Sequence, residues 1–489
     1  MTSKSTKRAL ITSALAILMC AAMLVGATFA WFTDTASTGV NKIVSGNLKV
    51  DIIGADSDSH IEKLNFTKAA TTDAEAGAEI LWEPGCRYLT EGFRIANKGN
   101  LALKWKAQVN TGTTAANEGN FDLLDVIDFY LVTKAADGTE TETALDEFTG
   151  NLKKTETSDV YYIKGVMQTT AGNDYQGLTL DGISITVVAT QDTVESDSFD
   201  NQYDKDAEYP ILVTTGDELQ AIVSNATAPV NIVLTNSITT NNFVIPEDKD
   251  VTLDLNGRTV TNAGSHTILN KGHLTLTDSS ADKSGQIISL KGNTAALRNG
   301  DNAVCVVEGG TISRDGANGN TWHVVENFGK MTFNGGKVVL KNGNGFAITN
   351  GWNYFDPGAS TTHAVMEINA LELDTDSSGI KNCRYGDLTV NDVTVTSTGY
   401  WALSNDYLGT AVINGGTLTS NSFKAVSNGA AMTVNGGTFD GTQGFFVQSY
   451  ATSTVLNGGT FANMNVDALS SYVGTGHTAQ QSGTSVIIK

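Results

Sequence analysis

Three kinds of side chain in this 489-residue chain could do chemistry: carboxylates, histidines and aromatics. Asp374, Asp376, Asp387, Asp392 and Asp406, with Arg384 among them, would support acid–base work on a glycosidic bond if they converged on one face. Asp374-Thr375-Asp376 reads as a turn, where solvated carboxylates are ordinary. The histidines are His60, His266, His273, His323, His363 and His477, and they include no His-Glu-x-x-His pair. Beyond residue 30 the cysteines are Cys86, Cys305 and Cys383, an odd number without zinc spacing, so at most one disulfide can form. No catalytic, cofactor or metal site is therefore expected, although a divalent cation such as calcium would suit so acidic a chain. The aromatics form a better pattern. Phe328, Trp352, Tyr385, Tyr407 and Tyr450 follow one another at repeat-like intervals, and residues 351–358 carry Trp352, Tyr354 and Phe355 in a single insertion. Ring faces bury large areas at low entropic cost, against sugars or apolar partners. Trp352, Tyr354, Phe355, Tyr385 and Tyr407 are the candidate ligand-binding residues.

The elements that must position them are set by two repeated markers. Asn270, Asn299, Asn327, Asn350, Asn382, Asn405 and Asn428 each end a short apolar stretch, such as Phe346-Ala347-Ile348-Thr349-Asn350. A second marker, Asn-Gly-Gly, follows alternating segments at Asn334, Asn414, Asn435 and Asn457, with degenerate copies at Asn236, Asn256, Asp278, Glu308, Asn369 and Asn391. The positions from Asn369 to Asn457 are 22, 23, 21 and 22 residues apart, the period of a solenoid. Segments of three to five residues rich in Val, Ile, Thr and Phe, separated by Asn, Gly and Asp, predict strands and turns rather than helices. Stacking the coils places successive Asn amides about 4.7–4.9 Å apart, where each can bond the next. The seven Asn are thus expected to form a structural ladder.

Where the spacing stretches, loops must project. Between Asn350 and Asn369 the distance is 19 residues instead of seven to nine. Further excess falls within residues 279–291 and 314–321. At the start of the solenoid, Thr215 followed by Leu219, Ile222 and Val223 predicts a capped helix over the first coil. At its end, residues 472–474 and 486–488 predict a closing strand pair. Ahead of all this, Lys4, Lys7 and Arg8 precede the apolar run 9–30, with Ala27 and Ala30 placed for signal cleavage. A membrane contact is expected only if that signal stays uncut. The whole chain carries −21, and the first thirty residues hold three basic and no acidic side chains, leaving −24 beyond them. Such a surface disfavours nucleic acid and anionic lipid and suits neutral glycans or basic proteins.

Ala30-Trp31-Phe32-Thr33-Asp34 and the run 41–50 resemble the start of the TasA/camelysin family. Three later blocks are similar as well: Glu83-Pro84-Gly85 leading into the extended strand 93–100, then 101–107, which resembles the strand that follows and pairs with it, and 183–191 running into 195–199. The resemblance covers roughly residues 1–205. It implies a jelly-roll-like antiparallel sandwich over 31–205 and assembly into fibres, in which Trp31–Val40, with Trp31 and Phe32 at its head, completes the sheet of a neighbouring subunit. Alternation at Leu48, Val50 and Ile52 and turn signals at Asp137-Gly138 and Asp181-Gly182 agree with such a sandwich. The second half resembles the right-handed parallel β-helix of the pectin-lyase-like superfamily in its adhesin form. That likeness also implies an alternative, a secreted polysaccharide lyase or glycoside hydrolase. The camelysin likeness implies a metallopeptidase, but only His60 lies in that half.

The expectation is an all-β protein with a signal peptide at 1–30, a sandwich at 31–205, a linker and capping helix at 206–229 and a β-helix of about ten coils at 230–489. Its expected role is that of a secreted, non-enzymatic protein of the cell surface or biofilm matrix. Its expected partners are further copies of itself, matrix fibre proteins, glycans or a host surface.

Overall fold

A computed structural model describes residues 47–61, 64–67, 80–115, 119–145, 148–181, 183–192, 208–319, 321–352 and 362–489. They are nearly all β: antiparallel sheets up to residue 192, then a parallel β-solenoid of about ten turns.

In the antiparallel part, Val50–Gly54, Phe93–Asn97, Tyr161–Met167, Arg87–Thr90 and Phe66–Thr67 make the path of a seven-stranded sheet, joined by Ile127–Lys134 and Glu140–Ala144. A second sheet holds Ser184–Gln191, Leu103–Asn110 and Phe148–Leu152. The alternation of Leu103, Trp105, Ala107 and Val109 turns one face of the second sheet inward, against Phe93, Ile95 and Ile163 of the first. Phe93–Asn97 and Leu103–Asn110 lie in different sheets and do not pair, contrary to the expectation from sequence. The cause is Asn97, which is 2% exposed. Its Nδ2 donates to the carbonyls of Leu101 and Lys153 while its Oδ1 accepts from Gly99 N–H, so the chain turns a corner there instead of closing a hairpin. Leu48 precedes its strand and is exposed, and Ile53 takes the deeply buried place. The Asp137-Gly138 turn forms as its residues dictate, with Gly138 at φ 85° and Asp137 accepting from Thr139 N–H. Gly182 and the segment 31–46 lie outside the described residues.

The solenoid stacks three parallel sheets of eleven, twelve and nine strands. The first sheet begins with Ile211–Val213, one strand before Val230–Leu234, with which it pairs in parallel. Between these two strands runs the helix Gly216–Asn225. Thr215 caps it by accepting from Glu218 N–H, the Glu218 carboxylate accepts from Thr214 N–H, and Leu219 and Val223 close the end of the core. At the other end Ala479–Ser482 and Ser485–Ile488 form an antiparallel pair on the last coil, whereas Tyr472 belongs to a short 3₁₀ turn.

All seven predicted Asn stand in register at the end of the third-sheet strands, at most 1% exposed. Asn270 Nδ2 donates to Asn299 Oδ1 at 2.7 Å, and the relay continues through Asn327, Asn350, Asn382 and Asn405 to Asn428 at 2.7–2.9 Å per step. A second, exposed ladder runs along the Asn-Gly-Gly corner. There Asn457 donates to Asn435, and so on through Asn414, Asn391 and Asn369 to Asn334, which donates to the Glu308 carboxylate at 2.8 Å. The last glycine of each Asn-Gly-Gly turn has positive φ; at Gly416, φ 97°, an added Cβ would lie 2.6 Å from Val393 O.

Replacing one rung should separate the two ladders energetically. Asn382→Ala removes the donor to Gly386 O, Thr410 O and Asn405 Oδ1 in a dry corner, and takes from Asn350 Nδ2 one of its acceptors. Its expected cost is roughly 2–3 kcal/mol. Asn414→Ala, where water replaces the lost partner, should cost less than about 1 kcal/mol. Urea unfolding of the two variants measures the difference.

Candidate functional site

The third sheet carries the candidate site on its outer face. Two positions per coil face outward there. One lies immediately before the ladder Asn and forms the row Arg298, Glu326, Thr349, Lys381, Ser404 and Ser427 in direct register, of which Glu326, Thr349 and Ser427 are buried beneath the flanking turns. The other lies four residues before it and brings in His266, His323, Phe346, Trp401 and Lys424. Turns on either side of the sheet supply two walls.

On the wall after the ladder stand the residues singled out from sequence. Trp352 packs on Phe328 with ring centroids 4.5 Å apart, and Arg298 lies over Phe328 at 4.6 Å. Tyr385 is flanked by the Arg384 guanidinium at 4.7 Å and by His363 at 5.6 Å. Tyr407 is 44% and Tyr450 54% exposed, and the Tyr450 ring covers Gly429, where an added Cβ would meet it at 2.6 Å. Tyr354 and Phe355 fall in 353–361, outside the described residues, as do Trp31 and Phe32.

The opposite wall was not anticipated. Trp322 and His323 lie 5.0 Å apart, Phe346 stacks on Trp401 at 6.5 Å and 9°, and Phe423 meets Trp401 edge-on at 5.2 Å. A signal for it exists in the sequence: the position four before the ladder Asn is His, Phe or Trp at 266, 323, 346 and 401. Lys381 Nζ lies 5.3 Å from the Phe346 centroid, and Lys424 Nζ 3.2 Å from that of Phe446. Among the described residues, the cation–π contacts of the solenoid all fall on this face.

The floor's charges are matched locally. Arg298 Nη1 sits 3.1 Å from Glu326, whose other oxygen accepts from Trp322 Nε1 at 2.8 Å, and Lys381 sits 3.2 Å from Asp406. Beneath the wall, Arg314 is 1% exposed and donates to Ser289 Oγ, Lys291 O and His323 O. Burial pulls its guanidinium down to about 10, with Glu326 opposing. His266 Nδ1 accepts from Ala295 N–H of the next coil at 2.8 Å, and His323 Nδ1 lies 3.2 Å from Phe346 N and 3.1 Å from Phe346 O. Burial holds both imidazoles below the ordinary histidine range, against the pull of Glu326.

The carboxylates considered for catalysis do not converge. Asp387 is in a first-sheet strand, paired with His363 at 2.8 Å; Asp374 is in a second-sheet strand, paired with Lys341 at 2.8 Å; Asp406 adjoins the third sheet. Asp376 is engaged by the N–H groups of Asn342 and Gly343, and Asp392 sits in the corner turn after Asn391. Among the described residues no group of three or more His, Cys, Asp or Glu is placed to hold a metal. Cys305 and Cys383 are buried free thiols pushed up to about 12 by desolvation. No protein-family model, curated protein or solved structure matches the chain.

The two buried histidines make a pH prediction. A histidine with a depressed folded pKa is neutral in both states well above 6.5, so its share of stability is intact there. Below 6.5 the unfolded chain takes up the proton first, and stability falls as pH drops toward the lower folded value. The melting temperature should therefore decline between pH 7 and 5. A His266→Gln, His323→Gln variant should show a flatter slope over that window than the parent.

Proposed function

We propose that this chain is a secreted, non-enzymatic protein of the cell surface or extracellular matrix, whose solenoid presents an adhesive face. The observation that carries this reading is the contrast on the solenoid surface: aromatic side chains of successive coils line one face, while the carboxylates are dispersed over three sheets and engaged there. Hydrolysis or elimination on a glycan needs two groups set around one bond; adhesion needs area, exposure and repetition.

The antiparallel part supplies the assembly half of the proposal. Its resemblance to the TasA/camelysin family implies subunits that complete one another's sheets, with Trp31–Val40 as donor. Such a contact joins unlike surfaces, so it propagates rather than closes. Among the described residues, Phe66–Thr67 ends the path of the larger sheet and Ser184–Gln191 borders the smaller, while the outer side of Val50–Gly54 is met by residues 59–61. The solenoid would then be displayed along a fibre, or on the cell through its partners.

Electron microscopy of protein beginning at Trp31, beside protein lacking Trp31–Val40, tests assembly. Filaments in the first sample and single particles in the second are expected. Single particles in both would remove the fibre half of the proposal.

A further inference from the structure

We propose that the exposed Asn-Gly-Gly corner is a covalent modification site. Asn334, Asn414 and Asn435 convert to aspartate and isoaspartate by attack of their own backbone, while the buried ladder is spared. The inference is independent of the adhesive reading.

The reacting groups are neighbours in the chain. The backbone nitrogen of the glycine gives its proton to solvent base and adds to the Asn Cγ. An N–C bond forms, the Cγ–Nδ2 bond breaks, and the side-chain nitrogen leaves as ammonia with a proton taken from water. The product is a five-membered succinimide. Water opens it at the side-chain carbonyl to give aspartate, or at the backbone carbonyl to give isoaspartate. The net change exchanges NH₂ for OH, with no change of oxidation state.

Two conditions decide which Asn react: a glycine N–H that is free, and access for water. In the buried ladder, Asn299, Asn350 and Asn428 also precede glycine, yet each is 0% exposed. The N–H groups of Gly300, Gly351 and Gly429 donate to the carbonyls of Asn270, Asn327 and Asn405 at 2.8, 2.9 and 2.7 Å. Gly257 and Gly343, which also follow Asn, are held by the carboxylates of Asp278 and Asp376. At the exposed corner the N–H groups of Gly335, Gly415 and Gly436 have no acceptor among the described residues, and Asn334, Asn414 and Asn435 are exposed. Asn457 starts the same turn, but Gly474 crowds its Oδ1 and Gly458 is buried.

The exposed ladder also primes the attack. Asn334 Oδ1 accepts from Asn369 Nδ2 at 2.9 Å, Asn414 Oδ1 from Asn435 at 2.8 Å and Asn435 Oδ1 from Asn457 at 2.9 Å. A donor at that oxygen polarises the carbonyl and meets the charge that develops as the nitrogen adds. Asn344, exposed before an equally free Gly345, has no such donor among the described residues.

Coil stacking makes the glycines obligatory. A Cβ at Gly335, Gly415 or Gly436 would lie 2.7, 2.7 or 2.6 Å from the carbonyl oxygen of Glu308, Asn391 or Asn414 one coil earlier. The spacing that lets one Asn bond the next thus places beside it the residue least able to shield its own nitrogen. The product accepts where the amide donated: converted Asn435 turns a carboxylate toward Asn414 Oδ1, and converted Asn334 turns one toward Glu308. Water can solvate these rungs, so the chain stays folded while its corner grows more acidic.

The test is timed incubation of the full mature chain, folded and in urea, at mildly acidic and mildly alkaline pH, followed by peptide mass spectrometry and an isoaspartate-specific methylation assay. In the folded chain the mass gain should appear at Asn334, Asn414 and Asn435, faster at the higher pH. Asn299, Asn350 and Asn428 should lag by at least about tenfold, the factor imposed by one buried hydrogen bond that must break before attack. In urea the six should react alike, and Asn344 should trail the three ladder residues only in the folded chain. The inference is overturned if the folded chain gains nothing at the three exposed Asn while the unfolded chain reacts. Equal gain in the buried ladder of the folded chain, or Asn344 outpacing the three, overturns it too.

Discussion

Everything in the solenoid hangs on one buried hydrogen-bond relay. A side-chain amide in a dry corner must place two N–H groups and a carbonyl, and a single coil cannot satisfy them. Asn382 does so only with its neighbours: it accepts from Asn350 and donates to Asn405 and to the carbonyls of Gly386 and Thr410. Each coil is thus incomplete without the next, and a one-residue slip would orphan amides on both sides of the fault. The apolar core alone sets no such register, because Val, Ile and Leu at neighbouring inward positions are nearly interchangeable. The relay makes strand register a matter of several kcal/mol rather than of tenths. The exposed ladder runs the other way. Its donors point toward the earlier coils and end on the Glu308 carboxylate, whereas the buried ladder's donors point toward the later ones and end on Thr454 Oγ1 and Ser453 O. The two rows of aligned dipoles oppose each other, and an anion sits at the positive end of the wetter one.

Fixed register is also what turns scattered residues into a surface. Positions counted back from the ladder Asn lie in columns, so a residue type repeated at one offset becomes a stripe several coils long. His323, Phe346 and Trp401 share one offset, and Arg298, Glu326, Lys381 and Ser404 share another. The stripes need no loop to hold them; the strands do. The same rigidity confines variation to the turns, where Tyr385 and Leu408 occupy backbone conformations that Asn or Gly would fill at lower cost.

The repeat made most of this fold legible in advance. The ladder could be read because its Asn recur at nearly constant spacing, and a polar residue that repeats inside an apolar pattern has few physical explanations. The helix over the first coil was legible from Thr215, Glu218 and the spacing of Leu219 and Val223. The rest depended on contacts that spacing does not encode. Nothing local says that Asn97 would spend its amide on Leu101 and Lys153 and send Phe93–Asn97 and Leu103–Asn110 into separate sheets. Nothing local says that Ile211–Val213 would join the solenoid, since three apolar residues before a helix fit a linker equally well. Of the site, the wall after the ladder was visible as aromatics following Asn327, Asn350, Asn382 and Asn405, whereas the wall before it was hidden inside the strands, where Phe346 and Trp401 read as core. They lie at the start of the third-sheet segments, outward of Ala347 and Ala402, which take the buried place instead.

Stiffness gives such a face a particular use. A flexible receptor that grips a polymer must order itself at each contact, and the cost accumulates with length. A solenoid meets that cost once, on folding, and then offers contacts already at the right spacing. Each contact can be weak, because the second and later ones form at the high effective concentration set by the first. Display of many solenoids along a fibre would repeat the same gain at a larger scale. Both levels demand that units keep their spacing, which explains why the buried relay extends beneath the full length of the aromatic walls, from Asn299 below Arg298 and Phe328 to Asn428 below Ser427 and Tyr450. On this view the ladder is tied to function through distance: it touches no ligand, and it fixes where every ligand contact can be.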